Sequence, residues 1–289
     1  MPGILIAGCG YVGQVTADLF HARGWEVEGW TATVETAHKL SAKPYPIRAV
    51  NFTDRATIET GHGAFDVVLQ CASSGGGTEE DYRCLYLEGA RNLCAAFPTA
   101  TLLFTSSTSV YAQKDGELVD EESEANPGHE KGRILRAAED LILAHGGIVA
   151  RLAGIYGPSR SFLLTRFLAG EAVIDPDDDR FINQIHRDDI ASALVVLAEH
   201  RGVVRGRIYN AVDDEPARAQ EIYGWLSEKL NRPMPPSGKK TSTRRRGDSN
   251  KRVANQRLRE KGWRARFPTF RSAFAQSILP SFGIAEIKA

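Results

Sequence analysis

Short apolar runs alternate along the first half of the chain with stretches in which apolar residues recur every three or four positions, and this alternation predicts the architecture. Ile4, Leu5, Ile6 and Ala7 form a run of strand length, and Val12, Val15, Leu19 and Phe20 follow at helical spacing, with Gly24 placed to end the helix. Residues 26–31 (EVEGWT) and 47–51 (IRAVN) read as a second and a third strand. The unbroken run Val67, Val68, Leu69, Gln70, Cys71, Ala72 has the composition of a strand covered on both faces, as in a parallel sheet. A long helix with Tyr82, Leu85, Leu93 and Phe97 on its buried face comes next, and residues 102–111 (LLFTSSTSVY) make a fifth strand entering a hydroxyl-rich turn. Residues 148–152 (IVARL) make a sixth. Five strand–helix alternations predict an α/β fold with a doubly wound parallel sheet.

Farther on the periodicity shortens. Phe162, Leu163, Phe167 and Leu168 suggest a short helix, and the acidic run 175–179 an exposed loop that lacks the glycine and distant glutamate of a calcium site. Residues 183–186 are expected to return to the first, larger domain, followed by a helix capped by Asp188 and Asp189 with Ile190, Leu194 and Leu197 inside, and by a strand at 208–211. Ile222, Leu226 and Leu230 mark another helix, Asn250, Lys251 and Arg252 the start of one more, and Phe267, Phe270, Phe274 and Ile278 the close of a smaller lobe. The expected division is a first domain of residues 1–153 joined by 187–212, and a substrate lobe of residues 154–186 and 213–289.

Composition narrows the function classes. The 289 residues are 42% hydrophobic and 25% charged, enough for one large domain and a smaller lobe. Lys plus Arg and Asp plus Glu both number 36, so net charge drives the chain toward neither nucleic acid nor an anionic membrane. One local imbalance stands out between 239 and 252, where Lys239, Lys240, Arg244, Arg245, Arg246, Lys251 and Arg252 face one acid, Asp248. A solvated loop is the first reading of that segment, a clamp for an anionic substrate the second, and nucleic acid a distant third. The four cysteines lack CxxC spacing and a histidine cluster, which argues against zinc and against a disulfide framework. The chain opens directly into a strand, and no apolar run approaches a membrane span, so a cytoplasmic protein with no membrane partner is expected.

The first strand and first helix are joined by Gly8, Cys9, Gly10, Tyr11, Val12 and Gly13, a GxGxxG turn in the strand–turn–helix setting that a dinucleotide requires. Gly8 allows the tight turn, Gly10 leaves the backbone open to a pyrophosphate, Gly13 permits close packing of helix on sheet, and the N–H groups around Tyr11 and Val12 face the phosphates. This is the phosphate turn of a Rossmann sheet. The ribose position at the end of the second strand holds Thr31, then Ala32 and Thr33, in place of the acid that selects NAD, which tilts the expectation to NADP over NAD. Asn51 and Phe52 end the third strand where an adenine lies. Cys71, Ala72 and Ser73 lead from the fourth strand into the loop Ser74, Gly75, Gly76, Gly77 at the carboxyl edge, where ligands of such sheets bind.

Six segments in order, GCGYVG, QCAS, TSSTSVYA, RLAGIYGP, INQIHRDDIASAL and RIYNAVDDEP, resemble the extended short-chain dehydrogenase/reductase superfamily and its NAD(P)-dependent epimerase/dehydratase group. The resemblance implies hydride exchange with a nicotinamide, a Ser or Thr after the fifth strand that orients a substrate hydroxyl, and a YxxxK pair for proton transfer. Ser107 matches the Ser/Thr, three residues before Val110. With Pro127 and Glu139 set on the residues that bracket the motif, Lys131 falls on the tyrosine and Leu135 on the lysine, and Gly154 replaces an asparagine. That departure resembles the atypical YeeZ-like branch of the superfamily. Proton transfer would then fall to Lys131, Tyr111 or His186.

The expected function is an NAD(P)-dependent oxidoreductase or epimerase/dehydratase acting on a small hydroxylated, anionic substrate such as a nucleotide sugar. A dinucleotide-binding sensor or regulatory protein without turnover is the alternative, and an interaction protein using the basic segment a third. A homodimer is left open.

Overall fold

A computed structural model of the protein describes residues 1–58, 64–239 and 249–284. Among these, seven strands form the central sheet: β1 (Gly3–Ala7), β2 (Glu26–Thr31), β3 (Ile47–Ala49), β4 (Val67–Gln70), β5 (Thr101–Ser107), β6 (Ile148–Leu152) and β7 (Ile208–Ala211). They lie in the order β7-β6-β5-β4-β1-β2-β3 and every neighbouring pair is parallel. This is the doubly wound Rossmann arrangement. Strand order reverses between β1 and β4, so the crevice beyond their carboxyl ends is the natural ligand position. Every residue of β1 and β4 is buried, as their unbroken apolar runs require of strands covered on both faces.

The helix Gly13–Ala22 buries Gly13, Thr16, Ala17 and Phe20, and the chain leaves it through Gly24 at φ +77°. Small residues on that face let it lie close to the sheet. The helix Arg187–Glu199 packs beside it, which brings a late part of the chain next to the first turn.

Three local expectations change. The long helix expected to bury Tyr82, Leu85, Leu93 and Phe97 is interrupted by a π-helical segment, Arg83–Glu88. Buried Gln70 of β4 donates through Nε2 to the carbonyls of Leu85 and Tyr86, supplying partners for groups that a wider turn leaves free. Residues Lys251–Val253, expected to open a helix, form a strand paired in parallel with Glu117–Val119. Neither partner has a long apolar alternation, so a contact between segments over a hundred residues apart overrides the local pattern. The helix Arg187–Glu199 is capped by His186, whose Nδ1 accepts from the Asp188 N–H, while Asp188 and Asp189 occupy its first turn.

Two hydrophobic cores result. The larger surrounds the sheet, and it takes in Val253, Leu258 and Trp263 from the C-terminal part of the chain. The smaller is built by Tyr156, Leu164, Phe167, Ile222, Leu226, Phe270, Phe274 and Ile278. Of the seven basic residues between 239 and 252, Lys240, Arg244, Arg245 and Arg246 lie outside the described residues. Lys251 departs from the solvated reading, because it is buried, its Nζ donates to Ser249, and burial pushes its ammonium pKa down to about 8. Arg252 points outward, its guanidinium over the Phe181 ring. Among the described residues no helix is long and apolar enough to cross a membrane.

Candidate functional site

The glycine turn divides its tasks by space. Gly8 has φ +108°, and a Cβ there would lie 2.3 Å from the Ala72 nitrogen. A Cβ on Gly13 would lie 2.3 Å from the Gly8 carbonyl oxygen. Both positions are sealed by backbone. Gly10 is exposed, and a Cβ on it would meet nothing within 4 Å. The turn is therefore tight on two sides and open in front of a helix start, where the Gln14 N–H bonds the Gly10 carbonyl at 3.0 Å and the N–H groups of Tyr11, Val12 and Gly13 carry no backbone bond among the described residues. This cradle fits a pyrophosphate, since its oxygens can approach the backbone and accept from those N–H groups.

Other residues expected around a dinucleotide lie on the same edge of the sheet with differing availability. Val12 is buried at the helix entry, whereas Tyr11 is half-buried and its hydroxyl donates to the Pro158 carbonyl at 3.0 Å. Thr31 is buried at the end of β2, where its hydroxyl donates to the Thr33 carbonyl at 3.2 Å. Thr33 is exposed and caps the helix Val34–Lys39. Asn51 is exposed and its Oδ1 accepts from the Thr53 N–H and hydroxyl. Phe52 does not form a platform for an adenine: it is 5% exposed and packs where a Cβ on Gly89 would lie 2.6 Å from its ring, so it belongs to the core. Cys71 and Ala72 follow β4 half-buried, Ala72 lying over Gly8, and Ser73 is exposed. Burial pushes the Cys71 thiol up to about 12, so it is no thiolate at neutral pH.

The proposed proton-transfer residues separate more sharply. Tyr111 is fully buried, its hydroxyl donates to Asn210 Oδ1 at 3.0 Å, and its ring covers the Arg151 guanidinium at 4.8 Å. Burial raises its pKa further, so it is a packing residue of the strand end rather than an acid/base. His186 is also fully buried. Its Nδ1 is used by the helix cap, its Nε2 bonds Ser277 at 2.9 Å, and its ring lies 4.1 Å from that of Phe267. Burial lowers its pKa to about 4. The histidine ties the strand Gln184–His186 to Ser277 and Phe267, with both ring nitrogens engaged.

Ser107 ends β5 half-exposed, its hydroxyl oxygen accepting from the Ser109 N–H. Lys131, half-buried in the first turn of the helix Glu130–Ala144, donates to the Gly77 carbonyl and lies 4.9 Å from the Tyr82 ring centroid. It thus ties that helix to the glycine loop after β4. Leu135, one turn on, is 4% exposed and packs in the larger core. Beneath them Glu139 is fully buried and accepts from Arg151 at 2.7 and 3.0 Å, from Ser106, and from Arg136. This ion-pair network anchors the helix to β5 and β6.

One arrangement was not legible in the sequence. The guanidinium groups of Arg160 and Arg187 stand 5.1 and 4.9 Å from the Tyr11 ring centroid. Arg160 follows the segment RLAGIYGP and Arg187 lies within INQIHRDDIASAL, and nothing in local periodicity says that both return to the glycine turn.

The model of the NAD-dependent epimerase/dehydratase family matches residues 4–211. The chain belongs to this family. It is 32% identical over 232 residues to the protein YeeZ of Escherichia coli K12, covering 75% of this chain and 80% of YeeZ. A solved structure of a Methylobacillus flagellatus protein described as an NAD-dependent epimerase/dehydratase shares 26% identity, with a TM-score of 0.75 over 98% of this chain and 99% of that one. The UDP-glucose 4-epimerase of Thermus thermophilus, solved with NAD, shares the fold at 19% identity, with a TM-score of 0.79 over 98% and 99% of the two chains.

Proposed function

We propose that the chain binds a nicotinamide dinucleotide, NADP in preference to NAD, and acts as an oxidoreductase or epimerase/dehydratase on a small hydroxylated, anionic substrate such as a nucleotide sugar. The observation that carries the reading is the glycine turn, sealed at Gly8 and Gly13 and open at Gly10 in front of a helix start. When bound, the nicotinamide supplies or accepts the hydride. Ser107 orients a substrate hydroxyl from the end of β5. With Tyr111 and His186 committed to packing, proton transfer falls to Lys131, and release from the Gly77 carbonyl would free it. The preference for NADP rests on Thr31 to Thr33, a stretch with no carboxylate to repel a 2′-phosphate.

Nicotinamide fluorescence titration with NADPH and NADH tests this directly. NADPH is expected to bind below millimolar concentration and more tightly than NADH. Binding of neither overturns the function, and tighter binding of NADH overturns the preference.

A second reading, a dinucleotide-binding sensor without turnover, is favoured by Leu135, whose buried isobutyl group takes the place of the lysine implied by the superfamily resemblance. Turnover of any nucleotide sugar excludes it.

A further inference from the structure

The register of a short ladder explains how two arginines reach the first turn of the protein. Gly154–Tyr156 and Gln184–His186 pair in parallel with Tyr156 opposite His186, so the next residues, Gly157 and Arg187, emerge side by side. A Cβ on Gly157 would fall 2.7 Å from the Tyr11 hydroxyl and 3.1 Å from the Arg187 Cβ, which leaves glycine as the residue that lets all three meet. Residues 157–160 then close a tight turn: Gly157 and Arg160 exchange both backbone hydrogen bonds, at 2.9 and 3.0 Å. Pro158 suits the second position of such a turn, but Ser159 sits at φ +57°, a conformation unfavourable for a residue with a Cβ. The turn aims Arg160 at the face of Tyr11.

The charges around Tyr11 do not balance. Arg187 donates through Nε to Asp188 at 2.9 Å. Arg160 is exposed, and the Tyr11 ring is its described side-chain contact. Two guanidinium groups and one carboxylate therefore surround a ring one residue from Gly10, beside a helix start that already carries partial positive charge. A diphosphate at Gly10 has the charge and the oxygens to meet both planar forks.

We propose that Arg160 and Arg187 are ligands of the dinucleotide's diphosphate, holding it against the glycine turn from the side of the Gly154–Tyr156 ladder. The inference rests on the reading of the turn as a dinucleotide site and adds two residues to it. A cofactor held in this way bridges the N-terminal turn to segments 150 residues later in the chain.

NADPH and ADP-ribose titrations of the full chain, the single variants Arg160→Ala and Arg187→Ala, the double variant and Arg187→Lys test the proposal, with circular dichroism confirming the fold of each. Each single alanine variant is expected to weaken both ligands about tenfold and the double variant about a hundredfold, while Arg187→Lys loses less because it keeps the charge. The affinity of the double variant is also expected to fall less steeply with added salt than that of the parent chain. A folded double variant that binds both ligands within about twofold of the parent overturns the proposal, a tenfold loss being what one charge-assisted bond is worth. In a parallel titration with UDP, loss of affinity for UDP with NADPH binding intact overturns it too, because the arginines then serve a substrate's diphosphate. Failure of the parent chain to bind either ligand sinks the dinucleotide reading itself.

Discussion

Two segments at the carboxyl edge of the sheet, the glycine turn at 8–13 and the helix entry at 127–139, are both central to the superfamily resemblance and are built on opposite terms. In the turn, glycines are dictated by space, and the one opening, at Gly10, faces where a ligand would lie. In the helix entry, the side chains hold the protein together: His129 caps the helix, Glu139 anchors it, and Leu135 fills the core. The contrast separates a site from its scaffold. A fold can hold this helix in place without the acid/base pair that the superfamily resemblance implies, because the ion pair beneath it is needed whatever stands above.

The largest expected effect lies in that scaffold. Glu139→Ala leaves Arg151 buried at 1% exposure without its carboxylate and should cost about 3–5 kcal/mol in urea unfolding. A loss under about 1 kcal/mol, the range of exposed pairs, would show that the network contributes nothing special.

The turn should divide by position. Gly13→Ala drives a Cβ into the Gly8 carbonyl and is expected to cost about 1–3 kcal/mol of stability. Gly10→Ala meets open space and should stay within about 0.5 kcal/mol of the parent chain, yet weaken NADPH binding because the methyl occupies the approach of the diphosphate. Equal stability losses at both positions would remove the distinction between packing and opening.

Much of the fold was legible because β1 and β4 are unbroken apolar runs, Ile4 to Ala7 and Val67 to Leu69, with the length and composition of strands covered on both faces. The π-helical segment and the Lys251–Val253 strand were not, since each depends on a partner distant in sequence: Gln70 for the first, Glu117–Val119 for the second. The site divides along the same line. Gly8, Gly10 and Gly13 form a local motif. Tyr111 and His186 look reactive in sequence, and only the packing around Asn210, Arg151, Ser277 and Phe267 shows that their polar atoms are engaged. Arg160 and Arg187 are the converse, exposed-looking cations that the ladder register brings to Tyr11.

His186 converts its burial into a pH dependence. Its folded pKa of about 4 lies below the ordinary 6.5, so the neutral ring contributes stability that is fully present above pH 6.5 and is lost as the pH falls toward 4. The slope in that window should not exceed about 1.4 kcal/mol per pH unit for a single proton. Buried Asp189 and Asp213, whose carboxyl pKa values burial raises, contribute with the opposite sign and are common to both chains. Subtracting the profile of His186→Asn from that of the parent therefore isolates the histidine, and identical slopes between pH 6.5 and 4 would mean that burial does not shift its pKa.

Lys131 carries the smallest expected effect on stability and the sharpest test of the comparison. It is half-buried, bonded to one carbonyl of a glycine loop and set over one ring, so Lys131→Ala should change unfolding free energy by no more than about 0.5 kcal/mol. It does not touch the glycine turn, and NADPH affinity should be unchanged. If the helix entry is part of a site, turnover falls about 10²- to 10⁴-fold, the worth of a positioned acid/base, and Lys131→Arg does not restore it because the planar guanidinium differs from an ammonium in shape and donor geometry. Should turnover survive in both variants, the lysine belongs to the scaffold with Glu139 and Leu135, and proton transfer must come from the substrate side of the crevice.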